Sequence, residues 1–448
     1  MKRHLLIILL LLIAFTSCKV GRKYTRPDLK LPETLDTLTT VVGISFDSIR
    51  WFDIYQDEVL QQLIRQALDN NKDVLIAAAR IKEARASRRI TKADLYPKVD
   101  IALSADREYD SSPDHTFMAR GMLSWEVDLW GKLRWADQAA LASYLQTETG
   151  ARALKIALIS QVAEAYFELI AMDGELEIVK QTLAAREESV HLIRLRFEGG
   201  ITSETVLRQA EVELAKTVNL IPNLELRIKL KENELALLIG QYPGEIPRGR
   251  NIYKQNMPDT IPVGLPSELL ERRPDILQAE YVLKEAHANV GIAFTSLFPK
   301  ITLTAQYGRE STDLSDLLKS PYFYLGGELL APLLNMGKNR ARLKAQRAAL
   351  EGATHAYEKV VLTAFKEVSD ALYAVRKTKE IKESYSNLES SANLYLELAK
   401  LQYINGVIGY IDVLDAQRVY FDAQVGYNNA LEEELLGKVY LYKVLGGG

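Results

Sequence analysis

KEARASRRITKADLYPKVD, residues 82–100, returns as KEAHANVGIAFTSLFPKIT, residues 284–302. At an offset of 202, Lys82, Glu83, Ala84, Ala86, Ile90, Leu95, Pro97 and Lys98 match Lys284, Glu285, Ala286, Ala288, Ile292, Leu297, Pro299 and Lys300. Further along, Gly131-Lys132 matches Gly337-Lys338, and Gly200, Ala210 and Gly240 match Gly406, Ala416 and Gly446, now at an offset of 206. One loop has lengthened between the copies. The chain is a duplicated module, and self-similarity at a long period decides the fold before any local pattern does. The two copies cover residues 57–240 and 267–448, joined by a linker, 241–266, that carries Pro243, Pro247, Pro258, Pro262 and Pro266.

Within each copy the hydrophobic period changes in the same order. Helical spacing over residues 57–94 and 267–296 ends at Tyr96-Pro97 and Phe298-Pro299, where proline stops helical hydrogen bonding. Strict alternation follows, with Val99, Ile101, Leu103 and Ala105 on one face and Asp100, Ala102, Ser104 and Asp106 on the other. In the second copy Ile301, Leu303, Ala305 and Tyr307 alternate with Thr302, Thr304 and Gln306. A period of two is the mark of a strand. Turns at 110–113 and 311–321 lead into second extended runs, 118–129 and 323–330, so each copy supplies one β-hairpin.

Beyond the hairpins there is no proline from residue 114 to 221, and none after Pro332. A helix over 131–197 would hold 67 residues, about 100 Å at the usual rise. Leu158, Val162, Ala165, Leu169 and Met172, and Val361, Ala364, Val368, Ala371 and Val375, step by three and four as in a coiled-coil seam. Glycines at 199, 200, 406 and 409 reverse the chain, and second helices return through Leu207, Ala210, Leu214, Thr217 and Ile221, or Val413, Ala416, Tyr420, Ala423 and Tyr427. Pro222 is expected to kink the first return helix. The fold class is mainly α, with duplicated long helical hairpins and two β-hairpins.

The N-terminus reads as an export signal over residues 1–17: Lys2-Arg3-His4, an apolar run 5–15, then Thr16-Ser17. The run is too short to span a bilayer. The only cysteine, Cys18, falls where a bacterial lipoprotein signal places its lipidated residue, although Phe15 stands where such signals have Leu. Lys19, instead of Asp, fits release to the outer membrane by resemblance to such lipoproteins. With Cys18 acylated no thiol remains for disulfides. The five histidines are scattered singly, the net charge is -3 and the pI is about 6.1. No metal, no cofactor and no nucleic-acid partner is expected, and no catalytic set stands at a plausible spacing.

Four strands of about ten residues are long enough to cross a membrane at a tilt. They are too few to close a barrel, and an open edge in hydrocarbon leaves backbone groups unpaired, so subunits must pool strands. Three protomers would give 12 strands and a lumen. The alternative from periodicity alone is a small water-soluble sheet on a coiled-coil scaffold without a pore.

Several segments together resemble the outer-membrane factor family, the TolC-like efflux channels, in its lipoprotein (NodT-like) branch that serves RND-type pumps. Val20-Gly21, Tyr24 and Pro27 look like the family's start, with Arg22 replacing a proline. Trp51-Phe52, Leu60, Leu63, Ala67 and Asn71-Lys72-Asp73 are similar to its first equatorial helix. Most specific is Leu265-Pro266-Ser267-Glu268-Leu269-Leu270-Glu271-Arg272-Arg273-Pro274-Asp275-Ile276, running on to Ala279-Glu280 and Phe298-Pro299-Lys300. The resemblance implies a homotrimer with a 12-stranded barrel in the outer membrane and a 12-helix periplasmic tunnel. Residues 18–56, the linker and the C-terminal end would form an equatorial belt. It further implies a lipid-anchored exit duct, mostly periplasmic, that passively conducts compounds delivered by a pump and a periplasmic adaptor. Type I protein secretion is the rival use of the fold, disfavoured by the lipoprotein signal and the Arg-Arg-Pro-Asp string.

By the same resemblance, the helix-hairpin turns lie at the periplasmic tip and contact the adaptor through Gly199, Gly200, Ile201, Thr202, Tyr403, Gly406, Val407 and Gly409. The family's constriction matches Ile411 and Asp415, four apart on one helix face. Arg418, one turn on, would pair with an acidic neighbour and hold the constriction shut. Arg272, Arg273 and Asp275 are read structurally, with Pro274 in a first helical turn and Asp275 favouring that N-terminus. Trp125, Trp130 and Trp135 either anchor the membrane interface or pack the junction of barrel and tunnel.

Overall fold

The computed structural model describes residues 19–29, 31, 50–108, 114–258, 266–332 and 335–447. The signal sequence, Cys18 and the first hairpin turn lie outside the described residues. A short helix α1 (Trp51–Ile54) precedes α2 (Glu58–Asn70) and α3 (Lys72–Ala93), which lead into β1 (Lys98–Glu108) and β2 (Asp114–Val127). The first long hairpin follows as α4 (Lys132–Glu198) and α5 (Glu204–Leu238). The second copy repeats the order with α6 (Pro266–Arg272), α7 (Pro274–Thr295), β3 (Lys300–Ser311), β4 (Pro321–Leu330), α8 (Lys338–Ile404) and α9 (Tyr410–Val444). Both outgoing helices hold 67 residues and both return helices 35.

Three local expectations are corrected. The helix expected over 57–94 breaks at Asn71, whose side chain accepts from Asp73 N and Val74 N to cap a new helix while its amide donates to the Leu238 carbonyl. The one expected over 267–296 is two helices that part at Arg273, the second beginning at Pro274, where the sequence reading puts a first helical turn. The turn at 311–321 holds a 3-10 helix, Leu314–Lys319. Pro222 sits inside a continuous α5, and the Val218 carbonyl it leaves unserved is on an exposed residue that water reaches.

The four strands form one antiparallel sheet in the order β1-β2-β3-β4. Residues paired directly across strands share a face, so the register sorts every side chain. One face carries Val99, Ile101, Leu103, Leu123, Trp125, Ile301, Leu303, Tyr307, Phe323, Leu325 and Leu329; the other carries Asp100, Asp106, Arg120, Glu126, Thr302, Thr304, Gln306, Glu310 and Glu328. The apolar face is open: Ile101 is 82% exposed, Leu103 77% and Leu325 72%. Among the described residues β1 and β4 pair with no further strand.

By contacts the chain forms two compact units, each drawing on both sequence copies. One comprises the described parts of Met1–Lys30, Ala78–Gly150 and Asp275–Val361 and contains the sheet; the other comprises those of Leu31–Ala77, Ala151–Pro274 and Leu362–Gly448. In the sheet unit, the segment after Cys18 is strapped down. Val20 N donates to the Trp130 carbonyl, Trp135 Nε1 donates to Val20 O at 2.8 Å, and Gly21 lies against the Trp135 ring, where a Cβ would stand 2.7 Å from it. Arg26 (2.6 Å), Lys284 (2.9 Å) and Tyr24 (3.4 Å) then converge on the buried Glu280 carboxylate. Trp130 stacks on Phe298 and donates to the Pro299 carbonyl, and Trp125 donates to the Leu95 carbonyl. Trp130 and Trp135 pack the junction.

The other unit holds the main core, in which Leu60, Leu63, Ile64, Val162, Tyr166, Leu169, Val368, Val439 and Tyr442 are fully buried. Burying such side chains contributes roughly 1.5–3 kcal/mol each. Asp57 ties the linker to this core. Its carboxylate caps α2 and accepts from Tyr166 Oη (3.1 Å), Arg250 N (2.9 Å) and Gln255 Nε2 (2.8 Å). Arg273 is buried too, donating to the Val444 carbonyl at 3.1 Å and to Glu367 at 2.6 Å. The Arg-Arg-Pro-Asp string is thus structural at Arg273: it satisfies a carbonyl that the end of α9 leaves orphaned.

Candidate gate and tip

The two helix reversals are built alike. Gly200 and Gly406 hold φ of 71° and 72°, the left-handed conformation that glycine adopts without strain. Ile201 N donates to the Arg196 carbonyl (2.8 Å) and Val407 N to the Gln402 carbonyl (2.9 Å), closing the same terminal loop on both outgoing helices. The apolar residue after each glycine, normally tucked against the helix end, is instead 68% exposed at Ile201 and 70% at Val407. Gly199, Thr202 and Gly409 belong to the same turns, and Gly409 N is held by Asp412 Oδ2 at 3.0 Å. Tyr403 is engaged internally, with its ring beside Tyr410 and the Arg196 guanidinium 4.9 Å over its face.

On α9, Val413, Leu414 and Ala416 are buried against the neighbouring helices, while Ile411, Asp415 and Arg418 stand along the exposed stripe. Tyr395 Oη, on α8, donates to Asp415 Oδ2 at 3.3 Å. Arg418 reaches away from Asp415 to α5, where its guanidinium donates to Glu213 Oε1. Glu213 is only 4% exposed. Lys216 Nζ also binds it at 2.9 Å, and Arg186 of α4 lies 3.5 Å from its other oxygen while donating to its backbone carbonyl at 2.7 Å. The Arg418 hydrogen bond, against the cost of burial and with the help of Lys216 and Arg186, pulls the Glu213 carboxyl down to about 2. Burial lowers Arg186, and the Glu213 hydrogen bond raises Arg418. One buried carboxylate therefore gathers three cations and ties α4, α5 and α9 together.

Glu213, Lys216 and Arg186 were not singled out from the sequence. A signal was present: Glu213 lies 13 residues past Gly200 and Arg418 12 past Gly406, so the duplication puts them at matching depths on the two return helices.

A sheet with one apolar face, in a chain with two very long helical hairpins, is the build of a membrane-channel protomer. Over residues 63–241 and 265–447 the chain matches the outer membrane efflux protein family, and it belongs to that family. It is 31% identical to the probable outer membrane lipoprotein SilC of Salmonella typhimurium, over 100% of this chain and 99% of that one. It is 34% identical to the solvent efflux pump outer membrane protein SrpC of Pseudomonas putida, over 88% and 87% of the two chains. The open-state crystal structure of the Neisseria gonorrhoeae MtrE outer membrane channel superposes with a TM-score of 0.90 at 28% identity, covering 96% of this chain and 98% of that one. The protein is an outer-membrane efflux channel. The mainly helical fold with its small sheet is that of these channels.

Proposed function

We propose that three copies of the chain assemble into the exit duct of a tripartite pump, taking compounds from a periplasmic adaptor and an inner-membrane RND-type pump and conducting them passively outward. The sheet carries this reading. Its apolar face suits lipid, its polar face suits a wet lumen, and the free edges of β1 and β4 run in the antiparallel sense needed to pair with one another in a neighbouring copy. Conduction needs no covalent chemistry, and the chain is not an enzyme. Lipid on Cys18 anchors the protomer, and the strap from Val20 to Arg26 supports this by holding the residue next to Cys18 beside Gly131, where β2 gives way to α4.

Opening is the regulated step. Asp415 and Ile411 line the constriction, Arg418 bound to Glu213 holds it shut, and Ile201 and Val407 offer the adaptor an apolar hold at the tip. The relatives named above serve solvent efflux in one case and carry no stated substrate in the others, and the pump, not the duct, selects the cargo. Detergent-purified protein tested by cross-linking and in planar bilayers decides the main claim. A trimer with discrete, long-lived conductance steps is expected; a non-conducting protein of any stoichiometry refutes the duct.

A further inference from the structure

We infer that each seam between protomers holds an anionic phospholipid of the inner leaflet, gripped through its phosphate by a cluster of cations just below the barrel. This rests on the trimer proposed above. Because β1 enters and β4 leaves at the same end of the sheet, pairing β4 of one copy with β1 of the next sets the end of α3 beside the start of α8. Both are basic. Arg89 and Lys92 are exposed at the end of α3, and Lys338, Arg340 and Arg342 on the first turns of α8. None of these five has a carboxylate within ion-pair reach among the described residues, whereas Arg88 of α3 is paired with Asp137 and Arg85 bonds Tyr144. From 338 to 350 there is no acidic residue at all.

Two features point to a phosphate-bearing lipid instead of a protein partner. Cations in the first turn of α8, with no acidic residue there, oppose the helix dipole, so local helix stability does not explain them. Exposed apolar side chains are mixed among the cations: Ile90 and Tyr96 at the α3 end and Met336 before α8. Cations interleaved with aromatic and aliphatic residues at the foot of a membrane wall are the composition of a headgroup zone. The position agrees. Lys92 lies six residues before β1 and Lys338 eight after β4, and the headgroup layer extends about 5–8 Å beyond the hydrocarbon. Two like-charged helix ends facing each other across a seam repel unless an anion lies between them, so the lipid would act as a bridge between subunits.

The test uses the whole protein in nanodiscs of phosphatidylglycerol or of phosphatidylcholine, read by native mass spectrometry and by the temperature at which the trimer dissociates. Retention of three phosphatidylglycerol molecules per trimer, with an upward shift of several degrees over phosphatidylcholine, is expected. The R89Q/K92Q/R340Q/R342Q variant should lose both while keeping its single-channel conductance. Equal retention and equal dissociation temperature in the two lipids overturn the inference without any variant. So does the same shift produced by inorganic phosphate in phosphatidylcholine discs, which would make the site one for a free anion. A chain that stays monomeric in both lipids overturns the trimer itself.

Discussion

Glu213 is a buried carboxylate with more positive partners than it needs. Arg186 and Lys216 compensate it from within the first helical hairpin, so in the proposed gate Arg418 would leave on opening without stranding a bare charge in the core. That is what separates a latch from a permanent tie, since removing the sole partner of a buried charge costs about 3–5 kcal/mol. Arg418→Ala should raise basal conductance several-fold in bilayers with little loss of thermal stability. Arg186→Met should instead destabilise the fold, because it leaves the pocket of Glu213 and Thr217 short of a donor. Unchanged conductance in Arg418→Ala removes the residue from the gate. The pH response follows from the direction of the shift. A carboxyl held down at about 2 keeps its ion pairs at every pH above that value and loses them only as pH falls through it. Basal conductance should therefore be flat from pH 8 to pH 5, and a rise over that range would place the latch elsewhere. Glu432 behaves in the opposite sense. Burial first, then Glu168, Glu175 and Glu433 with only Arg227 opposing, push its carboxyl up to about 7. The penalty for ionising it is absent below its ordinary value, grows as pH rises toward about 7 and is complete above. Glu432→Gln should stabilise by about 1 kcal/mol at pH 8, after allowance for screening by water, and by almost nothing at pH 5, as thermal unfolding at the two pH values will show.

At the scale of elements, the tip turns test how much the reversals depend on glycine. Gly406→Val forces a β-branched residue into the left-handed conformation at a cost of about 1–2 kcal/mol, whereas Gly406→Asn is tolerated there. No neighbour lies within 4 Å of a Cβ at Gly406, so only backbone strain separates the two variants. Thermal unfolding should rank them in that order; equal loss would mean that the side chain itself matters. The elements also show what the sequence made legible. Proline-free stretches and three-four spacing located the first long helix to within a residue at each end and showed that a second follows Pro332, because nothing interrupts their hydrogen bonding. Strand alternation located the hairpins, because one face meets apolar surroundings and the other polar ones. The helix break at Asn71 was not visible, whereas Pro274 and Asp275 did mark the start of α7. Asn71 looks unremarkable until its side chain is seen capping α3 and reaching the Leu238 carbonyl, 167 residues away. Arg273 likewise acts through Val444, 171 residues on. The partner of Arg418 was hidden for the same reason: ion pairs across helices leave no local periodicity, only a shared depth below the tips.

At the scale of the whole molecule, the net charge of -3 matters less than where the charges stand. On the polar face of the sheet, Lys98, Arg120 and Lys300 are all engaged: Lys98 with Asp94, Arg120 with Glu310 and Gln306, and Lys300 with Glu126. Asp100, Asp106 and Glu328, on the same face, have no cation within ion-pair distance among the described residues. Three copies would line the barrel lumen with nine uncompensated carboxylates, by the symmetry of the proposed trimer. Asp412 and Asp415, exposed on α9, would add the same sign at and beside the proposed constriction. Rings of carboxylates raise the local concentration of cations and repel anions in a narrow aqueous path. The duct should therefore prefer potassium over chloride, with a reversal potential of cation-selective sign in a potassium chloride gradient. The preference should weaken as ionic strength rises and the Debye length falls below the pore radius. Asp100→Asn with Asp106→Asn and Glu328→Gln isolates the barrel's share, because these side chains are far along the sequence from the latch and belong to the other compact unit. If that triple variant keeps the full selectivity, the proposed constriction alone sets it, and Asp415→Asn should then weaken it. If neither variant moves the reversal potential, the polar face of the sheet does not line the conducting path, and the assignment of lumen and lipid faces is wrong.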